Sequence, residues 1–498
     1  MPSASLPPFR FRLDRVPPGP GPAFRRLAQA LEGEIRACRA PSGTRLPSVR
    51  DLAEGLKVHP STVRAAYNLL ETQGKVVSQV GRGTFVKDTP RRRPRLHFPP
   101  TVERALNLAS LTGSLEDVPR DGLDLFTLTP APPSSSLASF QACLEGVLRE
   151  EGEALLSYLG PVGHEKLRAQ VARMVSRGER AVDPSEILIT SGAQQALELA
   201  IQCFAGPGEA VVTPCPTYLN LMGTLEAQGV RLLPVPFQGE ELDLWALEKA
   251  LQDPSARLLY LMPTFQNPTG ITVDRKTRLE LLDLARRTGI PILEDDLEGE
   301  LLFEGDLPPS LFSLDREGRV ILAGSVSKAF FPGLRVGWLA APPEAMSRLS
   351  ALKRFKDLET AGLLQAALAA YLEGGGLSRH LEELREDLKA RRDLLVDSLA
   401  KYMPDGTRWT LPGGGTSLWL ELPPGVDGRD VAAAARRKGV LVAPGDLFFP
   451  NRRQTPNLRL SFARARLEKI EEGIALLASL VEERIPTSLP GGGKAPVL

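Results

Sequence analysis

A chain of 498 residues is too long for one ordinary hydrophobic core, so a small module joined to a large one is expected. With 42% hydrophobic and 24% charged residues, and no apolar run near the ~18 residues that suggest a span, the composition excludes a membrane role. The net charge of +1 hides a division: residues 1–95 carry 18 Lys and Arg against 7 Asp and Glu, a net of +11, which leaves −10 for residues 96–498.

A basic amino-terminal module suits a polyanionic partner, although the cluster Arg91, Arg92, Arg93 and Arg95 also has the make-up of a solvated linker. Cys38, Cys143, Cys203 and Cys215 are scattered without a C-x-x-C pair, and the four histidines are scattered too, so neither a disulfide framework nor a bound metal is expected. The amino terminus lacks the long apolar stretch of a secretory signal, and the expected location is the cytoplasm.

The first element predicted is a helix over residues 23–38, where Phe24, Leu27, Leu31 and Ile35 recur at three- and four-residue spacing. Ser48-Val49-Arg50-Asp51 is a capping-box pattern that starts a second, short helix reaching about Leu56. Lys57-Val58-His59-Pro60 makes a turn, and residues 61–72 read as a third helix with Val63, Tyr67 and Leu70 facing inward. Residues 76–80, then Gly81-Arg82-Gly83, then Thr84-Phe85-Val86 predict a hairpin whose glycines permit a close turn, which makes a wing.

In such a helix pair the second short helix enters the major groove of double-stranded DNA, its amino-terminal polar residues meeting phosphates and base edges. Ser61, Thr62 and Arg64 are placed for that work, Arg45 and Arg50 for phosphates on either side, with Ser48 beside them, and Arg82 for the backbone or an adjacent minor groove. The alternative is a small helical protein-interaction domain with ordinary surface arginines. The segments G-T-R-L-P-S-V-R-D-L-A at 43–53, H-P-S-T-V-R-A-A-Y at 59–67 and G-R-G-T-F-V at 81–86 resemble the winged helix-turn-helix of GntR-type bacterial regulators, over about the first 86 residues.

Residues 87–123 mix Pro, Arg and Gly with short apolar pieces and read as linker and arm. Beyond them amphipathic helices (192–203, 275–287) alternate with apolar strands (210–213, 231–236, 258–262, 291–293, 320–323), an α/β pattern whose sheet-edge loops suit a ligand. Segments 416–422 and 458–462 suggest a smaller carboxy-terminal α+β lobe, the large domain ending near 484 and residues 485–498 forming a mobile tail.

The loops of the large module suggest a site. At Ser191-Gly192-Ala193-Gln194 a strand gives way to a helix whose free amides suit a phosphate. Ser325, Ser327 and Arg335 complete a phosphate cup, leaving Lys328 to form a Schiff base with an aldehyde; the plainer reading is a surface lysine. Glu294-Asp295-Asp296 directly follows an apolar strand, so that Asp295 keeps a pyridine nitrogen protonated, while Asn267 bonds a ring hydroxyl, Tyr218 covers a ring face and Arg459 clamps an amino acid's carboxylate.

From about residue 124 to 484 the chain resembles fold-type-I, class I/II aminotransferases: S-G-A-Q-Q-A-L at 191–197, P-T-Y at 216–218, Q-N-P-T-G at 266–270, E-D-D at 294–296, S-V-S-K-A-F-F-P-G-L-R-V-G at 325–337, P-G-G-G at 412–415, G-V-L-V-A-P-G at 439–445 and L-R-L-S-F at 458–462 follow its motif order. The resemblance implies pyridoxal 5'-phosphate as cofactor on Lys328, Asp295 at its ring nitrogen, Arg459 for a substrate carboxylate, and an obligate homodimer in which Tyr158 reaches the partner's phosphate. Both halves in this order resemble the MocR branch of GntR regulators, which implies sensing of pyridoxal phosphate or an amino compound, commonly as a head-to-tail dimer. The family's tyrosine, three positions after the ring aspartate in aminotransferases and often two after it in MocR proteins, is replaced here by Glu298 and Leu297, and the loop at 127–132 lacks its usual glycine. These departures argue against efficient transamination more than against cofactor binding. Three readings stay open: a ligand-sensing transcription regulator, an aminotransferase, and an inert dimerising scaffold.

Overall fold

The computed structural model describes residues 15–36, 43–79, 81–87, 98–104, 106, 121–176 and 180–486. It divides into two units, Met1–His97 and Phe98–Leu498. Cys38, Val80, the arginine cluster at 91–95, most of the segment 87–123 and the tail beyond 486 lie outside the described residues.

In the first unit, α1 (Ala23–Arg36), α2 (Val49–Gly55) and α3 (Pro60–Thr72) enclose a core of Leu27, Leu31, Leu52, Leu56, Val63, Tyr67 and Leu70, all buried. The inward positions expected from the spacing are therefore the ones that pack. Ser48 caps α2 by accepting from the Asp51 amide at 3.1 Å, and α2 stops one residue early because Leu56 serves as its C-cap. Pro60, which lacks an N–H, opens α3, and His59 Nδ1 accepts from the Ser61 amide at 3.3 Å. Strands β1 (Val76–Gln79) and β2 (Gly83–Val86) pair antiparallel as the wing. The segment entering α2 joins this hairpin, Leu46 N donating to Thr84 O at 2.8 Å and Val86 N to Thr44 O at 2.9 Å, so wing and helices form one body.

In the second unit the described residues build two sheets. The larger has strands β4 (Ile187–Thr190), β5 (Ala210–Cys215), β6 (Arg231–Gln238), β7 (Glu241–Leu242), β8 (Ala256–Leu261), β9 (Ile292–Asp296), β10 (Val320–Ser325) and β11 (Gly337–Ala340), in the order β4-β11-β10-β9-β8-β5-β6-β7. From β10 through β6 the neighbours are parallel, and Val211, Val212, Leu258, Leu259, Ile292 and Leu293 are buried because helices cover both faces. Strand β11 runs antiparallel between β10 and β4, with Thr190 opposite Gly337 and Gly337 opposite Ser325, while Asp296 lies opposite Gly324. That register brings the loops after β4, β9 and β10 out at one sheet edge.

The acidic run expected just after a strand is instead the end of β9. Glu294 tolerates its buried place because its carboxylate accepts from the Leu311 and Phe312 amides at 2.9 and 2.8 Å and faces Arg278 at 3.9 Å. The smaller lobe holds a mixed sheet in the order β12-β13-β15-β14-β3, from β3 (Leu123–Leu125), β12 (Arg408–Trp409), β13 (Ser417–Glu421), β14 (Val440–Pro444) and β15 (Asn457–Ser461). Arg459 sits mid-sheet, opposite Trp419 and Ala443. No described helix is long and apolar enough to cross a membrane.

Candidate functional site

Lys328 follows β10 and is half-buried, its Nζ donating to the Leu128 carbonyl at 3.1 Å. Burial lowers its pKa to about 8, against the opposing pull of Glu298. Near neutral pH a useful fraction is thus a free amine, the form that attacks a carbonyl.

Asp295 is fully buried on β9. Its Oδ2 accepts from the Tyr260 hydroxyl at 2.6 Å, an arm reaching from the adjacent strand β8, whereas Oδ1 is buried with no hydrogen-bond partner among the described residues. Burial pushes this carboxyl from its ordinary 3.8 to about 7. A buried acceptor left open costs stability, and a pyridinium N–H is a group that satisfies it.

The sign of this effect is testable. A folded pKa above the unfolded value means that the folded chain keeps a proton the unfolded chain has released, so the carboxyl costs stability as pH rises from about 4 to 7. Asp295→Asn keeps an acceptor for Tyr260 and does not titrate. Without cofactor it is expected to be more stable than wild type at about pH 8, by roughly 1–3 kcal/mol, and to converge with it below about pH 4. Thermal melts across pH check this, and parallel melting curves for the two proteins at every pH would contradict it.

The residues expected to hold a phosphate meet where β4 gives way to the helix Ala193–Phe204. Gly192 caps that helix at φ +88°, and a Cβ there would lie 2.5 Å from Arg335 Nη2, so only glycine lets the guanidinium close over the turn. Arg335 Nη2 donates to Ser191 O at 3.3 Å from a left-handed backbone, φ 53°, a conformation that costs a non-glycine residue about 1 kcal/mol. Gly337 also has to be small, since a Cβ would stand 2.8 Å from the Ala193 amide. Ser325 is buried and accepts from the Ser327 amide at 3.1 Å, the two hydroxyls lying 2.9 Å apart. First-turn amides, the Ser327 hydroxyl beside Ser325 and a guanidinium are groups whose chemistry suits a phosphate. The Gln194 side chain is exposed and its amide donates to Thr224 Oγ1 at 2.5 Å, which leaves its backbone amide, the group expected to meet a phosphate, at the turn.

On the opposite side, buried Arg459 donates to Asn267 Oδ1 at 3.1 Å and to the Phe126 carbonyl at 2.8 Å, and its guanidinium lies 5.1 Å from the Phe448 ring centroid. Its Nε is buried with no hydrogen-bond partner among the described residues, and burial lowers its pKa to about 10. Tyr218, half-buried, accepts from Asn220 at 2.9 Å; burial, then Asp295, push its phenol up to about 12, so it stays neutral. Tyr158, by contrast, is 81% exposed on this single chain.

Two parts of the site escape a residue-by-residue reading. The segment 126–129 lids it with carbonyls, which accept from Arg459, Ser461, Lys328 and Arg464 in turn. Glu298, expected only as the replacement of a phenol, is buried among the site groups, the Thr416 hydroxyl donating to its Oε1 at 2.8 Å. In the first unit, Arg45, Ser48, Arg50, Ser61, Arg64 and Arg82 are exposed and Thr62 is half-buried. Arg45 lies against the wing, its Nε 3.0 Å from where a Cβ on Gly83 would stand.

The model of aminotransferase class I and II matches residues 133–477. The chain belongs to the aminotransferase class I and II family. Its amino end matches the model of bacterial regulatory proteins of the gntR family over residues 24–86, so the chain is a GntR-type regulator fused to an aminotransferase-like domain. Two HTH-type and regulatory relatives align over nearly the whole of both chains. The uncharacterised HTH-type transcriptional regulator YisV of Bacillus subtilis is 32% identical over 92% of this chain and 95% of its own length, and the probable rhizopine catabolism regulatory protein MocR of Rhizobium meliloti is 29% identical over 92% and 93%. Among solved structures, LysN, the alpha-aminoadipate aminotransferase of Thermus thermophilus complexed with N-(5'-phosphopyridoxyl)-L-leucine, superposes with a TM-score of 0.71 at 35% identity, covering 78% of this chain and 97% of its own. The aminotransferase-like domain is thus of the pyridoxal-phosphate-dependent type, and the residues around Lys328 fit that cofactor.

Proposed function

We propose that this chain is a transcription regulator that binds double-stranded DNA through α3 and the wing, and whose pyridoxal-phosphate site senses the cofactor or an amino compound. The observation that carries this reading is the retention of Lys328 with its lowered pKa, the open acceptor Asp295 Oδ1 and the Arg335 cradle in a chain that carries a winged helix-turn-helix. Pyridoxal phosphate, when bound, supplies an aldehyde for amines and an electron-withdrawing ring. The chain's residues do the rest. Arg335, Ser325, Ser327 and the Gly192–Ala193 amides hold the phosphate, Asp295 holds the ring nitrogen's proton, Asn267 bonds the ring hydroxyl and Tyr218 covers a ring face. Arg459 clamps a ligand carboxylate beside the amine of Lys328.

The chain acts as a cytoplasmic homodimer. Leu156 and Tyr158 are 84% and 81% exposed, Phe355 near the end of the helix Pro343–Asp357 is 90% and its C-cap Leu358 56%, and Glu359 ties the two segments together by accepting from the Leu159 and Gly160 amides at 2.6 and 3.0 Å. Thr360 and Asp357 in turn touch Ser191 beside the phosphate cradle, so an apolar patch abuts the cup that a second copy would cover. Retained site chemistry speaks against an inert scaffold. An aminotransferase is the second reading, favoured by Lys328 beside Arg459. Absorbance, keto-acid release and DNA affinity, recorded on one sample after an amino compound is added, separate the two. A spectral change with a change in DNA affinity supports the sensor, and rapid repeated turnover with unchanged DNA affinity supports the enzyme.

A further inference from the structure

Glu298 stands in the site without a task. Its carboxyl is buried, held by the Thr416 hydroxyl, and Gly415 makes its room: at φ +74° a Cβ there would lie 2.8 Å from Glu298 Oε2. The charged and titratable groups that act on it or feel it are Lys328 after β10, Asp295 on β9, Arg459 on β15 and Tyr218.

The substitution pattern of pyridoxal phosphate decides what this carboxyl meets. On that ring the aldehyde carbon has the hydroxyl on one side and the phosphate arm on the other, with the nitrogen opposite. With Asp295 to hold the nitrogen, Lys328 the aldehyde and the Gly192–Arg335 cup the phosphate, the residues left to hold the hydroxyl would be Asn267, Arg459 and Glu298. An ionised carboxylate repels a ring oxygen, whereas a carboxylic acid donates to it.

We propose that Glu298 holds a proton in the cofactor-bound site and donates it as a hydrogen bond to the cofactor's ring oxygen, which makes cofactor affinity proton-linked. The inference rests on the pyridoxal-phosphate reading above. Burial raises the Glu298 carboxyl above its ordinary range, against the pull of Lys328 and Thr416. Asp295 and Glu298 then divide the work of two neighbouring acids: one is ionised against the ring nitrogen and the other stays neutral.

The test is the dissociation constant of pyridoxal phosphate on the full-length chain, read by quenching of tryptophan fluorescence between about pH 6 and pH 9. Wild type is compared with Glu298→Gln, whose amide donates at every pH, and with Glu298→Tyr, whose phenol donates until about pH 10. Wild-type affinity is expected to fall, relative to either variant, by about tenfold per pH unit once Glu298 ionises. A ratio of wild-type to variant constants that stays level across the range, in both variants, overturns the proposal. Wild type that binds no pyridoxal phosphate at any pH overturns the cofactor reading itself, a distinct result.

Discussion

Purified Lys328→Ala protein is expected to show no visible absorbance band after incubation with pyridoxal phosphate, whereas wild type shows one that survives dialysis. The reason is local. Lys328 follows β10 three residues after Ser325, its charge is felt by Asp295, and its burial-lowered pKa of about 8 leaves it reactive near neutrality. Alanine removes that amine and leaves Arg335, Ser325 and Asp295 in place, so the variant retains reversible cofactor binding, measurable by fluorescence, without the covalent link. A band that persists undiminished in Lys328→Ala would show that another amine, not Lys328, holds the aldehyde.

The second large effect is on DNA. Arg64 is exposed in the first turns of α3, one turn beyond the His59 cap, while Arg82 is exposed at the wing tip. A side chain at a base edge contributes ~1–3 kcal/mol of discrimination, so Arg64→Ala is expected to weaken binding to the specific site by roughly tenfold to a hundredfold more than binding to random DNA. Arg82→Ala, if it meets phosphate, lowers both alike and reduces the salt dependence by about one counterion. Neither change touches the core of Leu27, Val63 and Leu70, so melting temperatures stay level. Competition binding at several salt concentrations measures this, and equal loss on specific and random DNA in Arg64→Ala would refute base reading by that residue.

Sequence made some of this legible because the signal was local. Val63, Tyr67 and Leu70 announce their buried face by spacing alone, and the Ser325-to-Arg335 loop carries its hydroxyls, amine and guanidinium within eleven residues. What stayed hidden depends on register. Tyr260 becomes the partner of Asp295 only because β8 lies beside β9, and the carbonyls of residues 126–129 have no side-chain signature at all. Strand β11 is four residues long, buried throughout and without alternation, so its place between β4 and β10 had no periodic mark. Glu298 was visible as the lack of a tyrosine. Its presence as a buried acid became clear only where Gly415 and Thr416, from the other lobe, close on it. The run Gly413-Gly414-Gly415 was the available clue: a Cβ at each would come within 3 Å of Glu304 O, Phe265 or Glu298, a sign of backbone packed against a site.

Whether an amino compound controls DNA binding is decided by the affinity of the full-length, cofactor-loaded chain for its own operator, identified by genomic footprinting and titrated with candidate amino compounds in parallel with Lys328→Ala. A ligand moves DNA affinity only through different affinities for two arrangements of the chain, and a typical coupling of about 1–3 kcal/mol appears as roughly a fivefold to 150-fold change. Such a change is expected in wild type, tracking the shift of the visible band, and none in Lys328→Ala. Operator affinity that stays constant in wild type, while the band shifts and keto acid accumulates over many turnovers, would contradict control by an amino compound.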